Sequence, residues 1–91
     1  MYTLVWTSGF TRSARKFLTQ HQHLREKFAA ILSDLERDPF QPHLRYHHLG
    51  GKLQGVQAIS ITSSYRLTLT ILISEQEIIL LDVGSHDEVY R

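Results

Sequence analysis

The apolar residues of this chain repeat at a helical period up to Leu35 and at a strand period from Val56 onward, and that change restricts the fold more than any motif does. Phe10, Ala14, Phe17 and Leu18 fall on one face of a helix that ends near Gln20, with Arg12, Arg15 and Lys16 pointing elsewhere. Leu24, Phe28, Ile31, Leu32 and Leu35 make a second stripe, with Arg25, Glu26, Asp34, Glu36 and Arg37 on its wet side. Pro39 stops this helix, because a residue before proline is pushed out of the α region. The short connection between the two stripes predicts an antiparallel helical hairpin, with Ser8 or Thr11 capping its first helix.

Side chains alternate along a strand, so each apolar run after Val56 also states which residues lie opposite the helices. In residues 56–63, Ile59 and Ile61 are expected to face the helices and Ala58, Ser60 and Thr62 the other way. In residues 65–73, Tyr65, Leu67, Leu69, Ile71 and Ile73 share the inner face, which sends Arg66, Thr68 and Thr70 to the open one. In residues 78–83, Ile79, Leu81 and Val83 are expected inward. Ser63–Ser64 and Glu75–Gln76 read as the turns between these strands, and residues 2–7 as a further strand ahead of the helices. The predicted order is β-α-α-β-β-β in one domain spanning residues 1–91. It is an α+β fold with a two-helix hairpin on one face of a small, mostly antiparallel sheet.

A chain of 91 residues has room for one core, and with no cysteine it must hold together by packing alone. The same absence removes thiolate nucleophiles and cysteine zinc ligands, and no HExxH motif or zinc-type spacing occurs. Neither a metal nor a cofactor is therefore expected. No apolar run approaches a membrane span and no secretory pattern opens the chain, so the expectation is a cytoplasmic protein without a membrane partner. The formal charge is only +1, but it is unevenly distributed. Residues 39–74 hold no Asp or Glu, while His43, Arg45, His47, His48, Lys52 and Arg66 all lie there. If that segment builds one face, the face suits an anionic partner.

After the third apolar run come Gly84, Ser85, His86, Asp87, Glu88, Val89, Tyr90 and Arg91. A histidine moves protons near neutral pH, a tyrosine stacks on bases or shares a proton, and an arginine holds phosphate through two parallel bonds. Asp87 either orients His86 or caps the tail. Tyr46, Tyr65 and Trp6 read as packing residues, and His21 and His23 as surface residues at the helix junction.

Tyr46 His47 His48 Leu49 Gly50 Gly51 Lys52 Leu53 Gln54 Gly55, then Tyr65 Arg66, then Gly84 Ser85 His86 Asp87 Glu88 Val89 Tyr90 resemble the RelE/ParE toxin superfamily, over nearly the whole chain. The resemblance implies a small cytoplasmic endoribonuclease of the RelE and YafQ branch. Such toxins cut mRNA, commonly in the ribosomal A site, and a co-expressed antitoxin neutralises them. Carried over by position, the arginine after the turn tyrosine is Arg66, the tail histidine is His86 and the tail aromatic is Tyr90. The basic residue of the glycine-flanked loop is Lys52, and the loop histidine is His47, with His48 as the neighbouring alternative. The chain departs from the YafQ-like pattern at Ser60 and Ser64, where that branch has a histidine and an aspartate. It departs from RelE-like members in having a single loop lysine and a tail histidine.

Metal-free RNA cleavage needs a base for the 2′-hydroxyl proton, an acid for the 5′-oxygen, and cations where charge builds on the phosphate. The expected catalytic set is His86, Arg66, Tyr90, His47 and Lys52. Lys52, Arg45, His48, Arg66 and Arg91 are the residues expected to touch RNA, and an acidic, partly apolar antitoxin is expected over the Arg66 face. Two alternatives share the fold: a ParE-like inhibitor of DNA gyrase that cuts no RNA, and a member that has lost activity but keeps its antitoxin.

Overall fold

A computed structural model describes residues 1–90. Strand β1 (Thr3–Trp6) leads into α1 (Ser8–Gln20), and a 3-10 turn at Gln22–Leu24 into α2 (Arg25–Arg37). Then follow β2 (His47–His48), β3 (Gln57–Ser60), β4 (Tyr65–Leu72), β5 (Glu77–Ser85) and a short α3 (His86–Val89). The five-stranded sheet has the order β1-β5-β4-β3-β2, with β1 parallel to β5 and every other neighbour antiparallel. This is the α+β arrangement the periodicity predicts, with two additions. A two-residue edge strand precedes β3, and the tail ends in a helical turn.

Both helical stripes bury as their spacing requires. Phe10, Ala14 and Phe17 of α1 and Phe28, Ile31 and Leu35 of α2 pack with Ile59, Leu67, Leu69, Ile78, Leu80 and Val83 of the sheet. Phe28 lies between Phe10 and Phe17, with ring centroids at 6.3 and 6.0 Å. Burial of each such side chain contributes roughly 1.5–3 kcal/mol. The cap of α1 is neither Ser8 nor Thr11 but Thr7, whose hydroxyl accepts from Phe10 N–H at 3.1 Å and donates to the Leu80 carbonyl at 2.8 Å. Thr7 therefore ties the helix start to the sheet, which a purely local cap would not do.

The expected inner face of the last strand is corrected. Ile78 and Leu80 are fully buried, whereas Ile79 and Leu81 are only partly so, yet Val83 is buried as expected. The register explains the switch: Thr68 pairs with Asp82 and Leu69 with Leu80, which leaves Leu81 as the extra residue of a β-bulge. The bulge flips the parity of β5 between Leu80 and Val83. It puts Gly84 directly opposite Arg66, on the open face. Ile73, expected inward, lies exposed in the turn after β4, because the strand ends at Leu72.

Register also defines that open face. Residues directly opposite in an antiparallel pair share a face, so Ser60, Arg66 and Gly84 form one row and His47, Ala58 and Thr68 another. Ala58 and Val89 are buried outside the main core cluster, and α3 packs against β4 and β5. The open face is thus partly roofed at one end and left concave at the other. Among the described residues, no helix is long and apolar enough to cross a membrane.

Candidate active site

A trough of about 480 Å³ lies on the open face, walled by Arg45, Tyr46, His47, Ser60, Arg66, His86 and Tyr90. Four of the five residues singled out for chemistry, His86, Arg66, Tyr90 and His47, thus share one concavity. Lys52 is not among its walls; it sits exposed on a 3-10 turn, Gly51–Leu53, beyond β2. Arg91 lies outside the described residues.

Arg66 is placed by strand parity and then held by its own loop. Its Nη1 donates to the carbonyls of Thr62 at 2.9 Å, Ser63 at 3.2 Å and Tyr65 at 3.3 Å. Those bonds use one nitrogen of the guanidinium and fix its plane, so the remaining N–H groups form a preset fork for an anion. Ser60 pairs with Arg66 across β3 and β4 and lines the trough beside it. Ser64 is exposed in the hairpin loop, where its N–H donates to the Thr62 hydroxyl at 3.2 Å.

The pairing of β2 separates the two loop histidines onto opposite faces of the sheet. His47 stands opposite Ala58 and so on the Arg66 face, whereas His48 stands opposite Gln57 on the other. His48 packs edge-on to Tyr46 at 5.6 Å, and its Nδ1 lies 3.4 Å from Gln57 Nε2. His47 Nδ1 is 2.8 Å from the carbonyl oxygen of Arg45. A carbonyl only accepts, so His47 carries a proton on Nδ1, and in the neutral ring Nε2 is left with the lone pair. Arg45 presents that carbonyl from a left-handed conformation, φ 56° and ψ 44°, at the end of a 3-10 turn over Pro42–Leu44. A non-glycine residue in this region is strained, so the loop geometry itself aims the histidine.

The tail is a built element rather than a solvated end. Ser85 caps α3: its hydroxyl accepts from Glu88 N–H at 3.3 Å while its own N–H donates to Glu88 Oε1 at 2.8 Å. Glu88 also reaches Lys16 of α1 at 3.6 Å. Gly84 makes room for this clasp, since a Cβ there would stand 2.8 Å from Glu88 Oε1 and 3.2 Å from Glu88 Cβ. The turn sets His86 and Tyr90 four residues apart on one side, rings edge-to-face at 4.2 Å. Asp87 is fully exposed and 3.6 Å from His86 Nδ1, too long for a hydrogen bond that would orient the ring. The Ser-x-x-Glu spacing is the sequence signal for this helix start, and it is the feature that a reading focused on His86 and Tyr90 passes over.

The clasp makes the tail pH-sensitive at its acid end. The Ser85 N–H, then the Ser85 hydroxyl and Lys16, hold the Glu88 carboxyl below the usual carboxylate range. A depressed carboxylate adds stability that is complete above its unfolded pKa, roughly 4.3, and is lost as pH falls through the lower folded value. Acidification below about pH 4 should therefore release α3 before the core unfolds. The packing of the His86 ring on the Tyr90 ring, followed by NMR, should disappear while methyl signals of Leu35 and Leu80 persist. Glu88→Ala, which removes the acceptor together with the charge, should show the released tail at neutral pH.

The fold has known counterparts. No family model matches the sequence, and no curated protein matches it. Solved structures do. YafQ of E. coli superposes over the full length of both chains with a TM-score of 0.82 at 11% identity. A copper-bound mutant toxin from Helicobacter pylori matches 98% of this chain and 99% of its own with a TM-score of 0.75 at 26% identity. The chain has the fold of the RelE/ParE toxin superfamily. The toxin–antitoxin complex RelBE2 of Mycobacterium tuberculosis shares this RelE-like fold over 93% of this chain and 98% of its own, with a TM-score of 0.70 at 24% identity. YafQ has also been solved in complex with DinJ. The Helicobacter protein holds a metal. In this chain, among the described residues, no three histidine or carboxylate side chains are grouped to hold one.

Proposed function

We propose that this chain is the toxin of a type II toxin–antitoxin pair, a cytoplasmic endoribonuclease that cleaves mRNA on the ribosome. The observation that carries the reading is the convergence of His47, Arg66, His86 and Tyr90 on one trough of the open sheet face. Two RelE-like relatives solved as complexes, one named a toxin–antitoxin complex, support a protein partner for this chain as well.

The reaction follows from the groups present. His47, with Nδ1 committed to the Arg45 carbonyl, offers Nε2 as the base that takes the 2′-hydroxyl proton. The 2′-oxygen attacks phosphorus and the bond to the 5′-oxygen breaks. His86 in its protonated form gives that oxygen a proton, leaving a 2′,3′-cyclic phosphate and a 5′-hydroxyl. Arg66 meets the charge that builds on the non-bridging oxygens, aimed in advance by its three carbonyl bonds. Tyr90 packs His86 into place and offers its other face to a base. Arg45 lines the trough and touches phosphate, while Lys52, exposed on the turn after β2, meets the strand beyond it; His48, expected to touch RNA, is turned to the other face.

Induction of the chain without its antitoxin, followed by mapping of transcript 5′ ends, tests the reading. Cuts within translated codons, absent when translation is blocked, are the expected result. Intact transcripts with broken chromosomal DNA would transfer the chain to the gyrase-inhibitor reading.

A further inference from the structure

A second groove, about 380 Å³, opens beside the trough and shares Arg45, Ser60 and Arg66 with it as a common wall. Its far side is Lys27, an exposed residue of α2 that lies beside the inward stripe but does not join it. Ile31 and Ile61 of the core, 4% and 2% exposed, also line it and close its base, with almost no surface of their own left open.

The charge around this groove is unbalanced. Among the described residues, Lys27, Arg45 and Arg66 form no ion pair with a carboxylate, and no acid lines the groove. The acid near it, Asp34, is already engaged by Arg37 at 2.6 Å and His43 at 2.8 Å; His43 first and then Arg37 hold its carboxyl below the usual range. Three cations facing one concavity repel each other, and such an arrangement focuses potential on an anion that spans it. The volume lies within the ordinary range of roughly 300–1,000 Å³ for small-ligand sites.

We propose that this groove is a second nucleotide subsite, continuous with the trough. Lys27 and Arg45 hold the phosphate adjacent to the scissile one. The inference rests on the RNA-cleaving reading of the trough, and it adds Lys27 to the binding surface. Arg66, fixed between the two concavities, is the divider that sets the spacing of the two phosphates.

The test uses the full chain and fluorescently labelled, uncleavable 2′-deoxy oligonucleotides of two and four nucleotides, with affinity read by anisotropy. The wild-type protein should bind the tetranucleotide more tightly than the dinucleotide. Lys27→Glu should weaken the tetranucleotide by about tenfold or more, to the level of the dinucleotide, and change the dinucleotide less than about twofold. Lys27→Gln should lower the dependence of log affinity on log salt by about 0.7, the value for each phosphate that a protein neutralises on a single strand. An unchanged tetranucleotide affinity, or equal weakening of both lengths, would overturn the subsite and leave the trough standing. So would a K27E defect confined to an acidic peptide, which would give the groove to the antitoxin. Dinucleotide binding that survives Arg66→Ala intact would instead remove the reading on which the subsite depends.

Discussion

Arg66→Ala should lower the rate of RNA cleavage by about 10²- to 10³-fold, the loss seen when one preorganised donor to a developing oxyanion is removed. The expectation comes from how the guanidinium is held. A free surface arginine must be ordered by its substrate, whereas Arg66 is ordered beforehand by the carbonyls of Thr62, Ser63 and Tyr65. Arg66→Lys keeps the charge but neither the fork nor the three-carbonyl brace, so it should recover only a small part of the rate. The same bonds brace the hairpin loop, so Arg66→Ala should also cost about 1 kcal/mol of stability, measurable by urea denaturation. Rates must therefore be compared on folded protein, in single turnover on ribosomes programmed with a defined message. An Arg66→Ala protein that stays folded and cuts at the parental rate would show that the trough is not the reaction centre.

That prediction could be approached from sequence because a strand fixes parity. Leu67 and Leu69 are apolar enough to settle which way β4 faces, and Arg66 follows without further information. The helices were legible for the same reason: Phe10, Phe17, Phe28 and Leu35 lie on stripes that only one orientation buries. Parity failed in β5, where Ile78, Ile79, Leu80 and Leu81 are all apolar and the pattern cannot show which one is the extra residue of a bulge. The bulge is nevertheless what turns Gly84 to the open face and lets the tail leave beside Arg66. The pairing of β2 was equally hidden, because two adjacent histidines carry no apolar alternation and their register is set by β3. Lys27 was out of reach for another reason. Its approach to the site depends on how α2 sits on the sheet, a tertiary fact with no local signature.

The acid-free segment gains a physical meaning from the strand order. Residues 39–74 supply β2, β3 and β4, neighbours at one side of the sheet, so absence of acids along the chain becomes absence of acids across a surface. The two acids of the tail do not undo this. Glu88 is turned to Lys16 and Ser85, and Asp87 extends into solvent. A chain with formal charge +1 can thus present a cationic groove without being a basic protein.

His86→Ala should reduce cleavage by about 10²- to 10⁴-fold, the range for loss of one general acid or base, and it should do so mainly in kcat. His86 heads α3, where the Ser85 and Glu88 clasp, the space at Gly84 and the Tyr90 ring fix it against the open face. None of these interactions uses its side chain to hold the core, so the alanine protein should fold normally. The roles of the two histidines separate by their bonds. His47 is tied through Nδ1 and offers a lone pair, while His86 has no such tie and is free to act as the acid. His86→Ala should therefore remove the limb of the pH–rate profile on which activity falls as pH rises. His47→Ala should remove the opposite limb. A substrate whose leaving group needs no proton, a nitrophenyl ester of a nucleoside 3′-phosphate, should restore much of the rate to His86→Ala and none to His47→Ala. Tyr90→Phe keeps the ring against His86 and should retain most activity, whereas Tyr90→Ala should lose it in proportion to the freedom His86 gains. If the activated substrate rescued His47→Ala instead, acid and base would be exchanged, and the Arg45 carbonyl would be holding the acid in place.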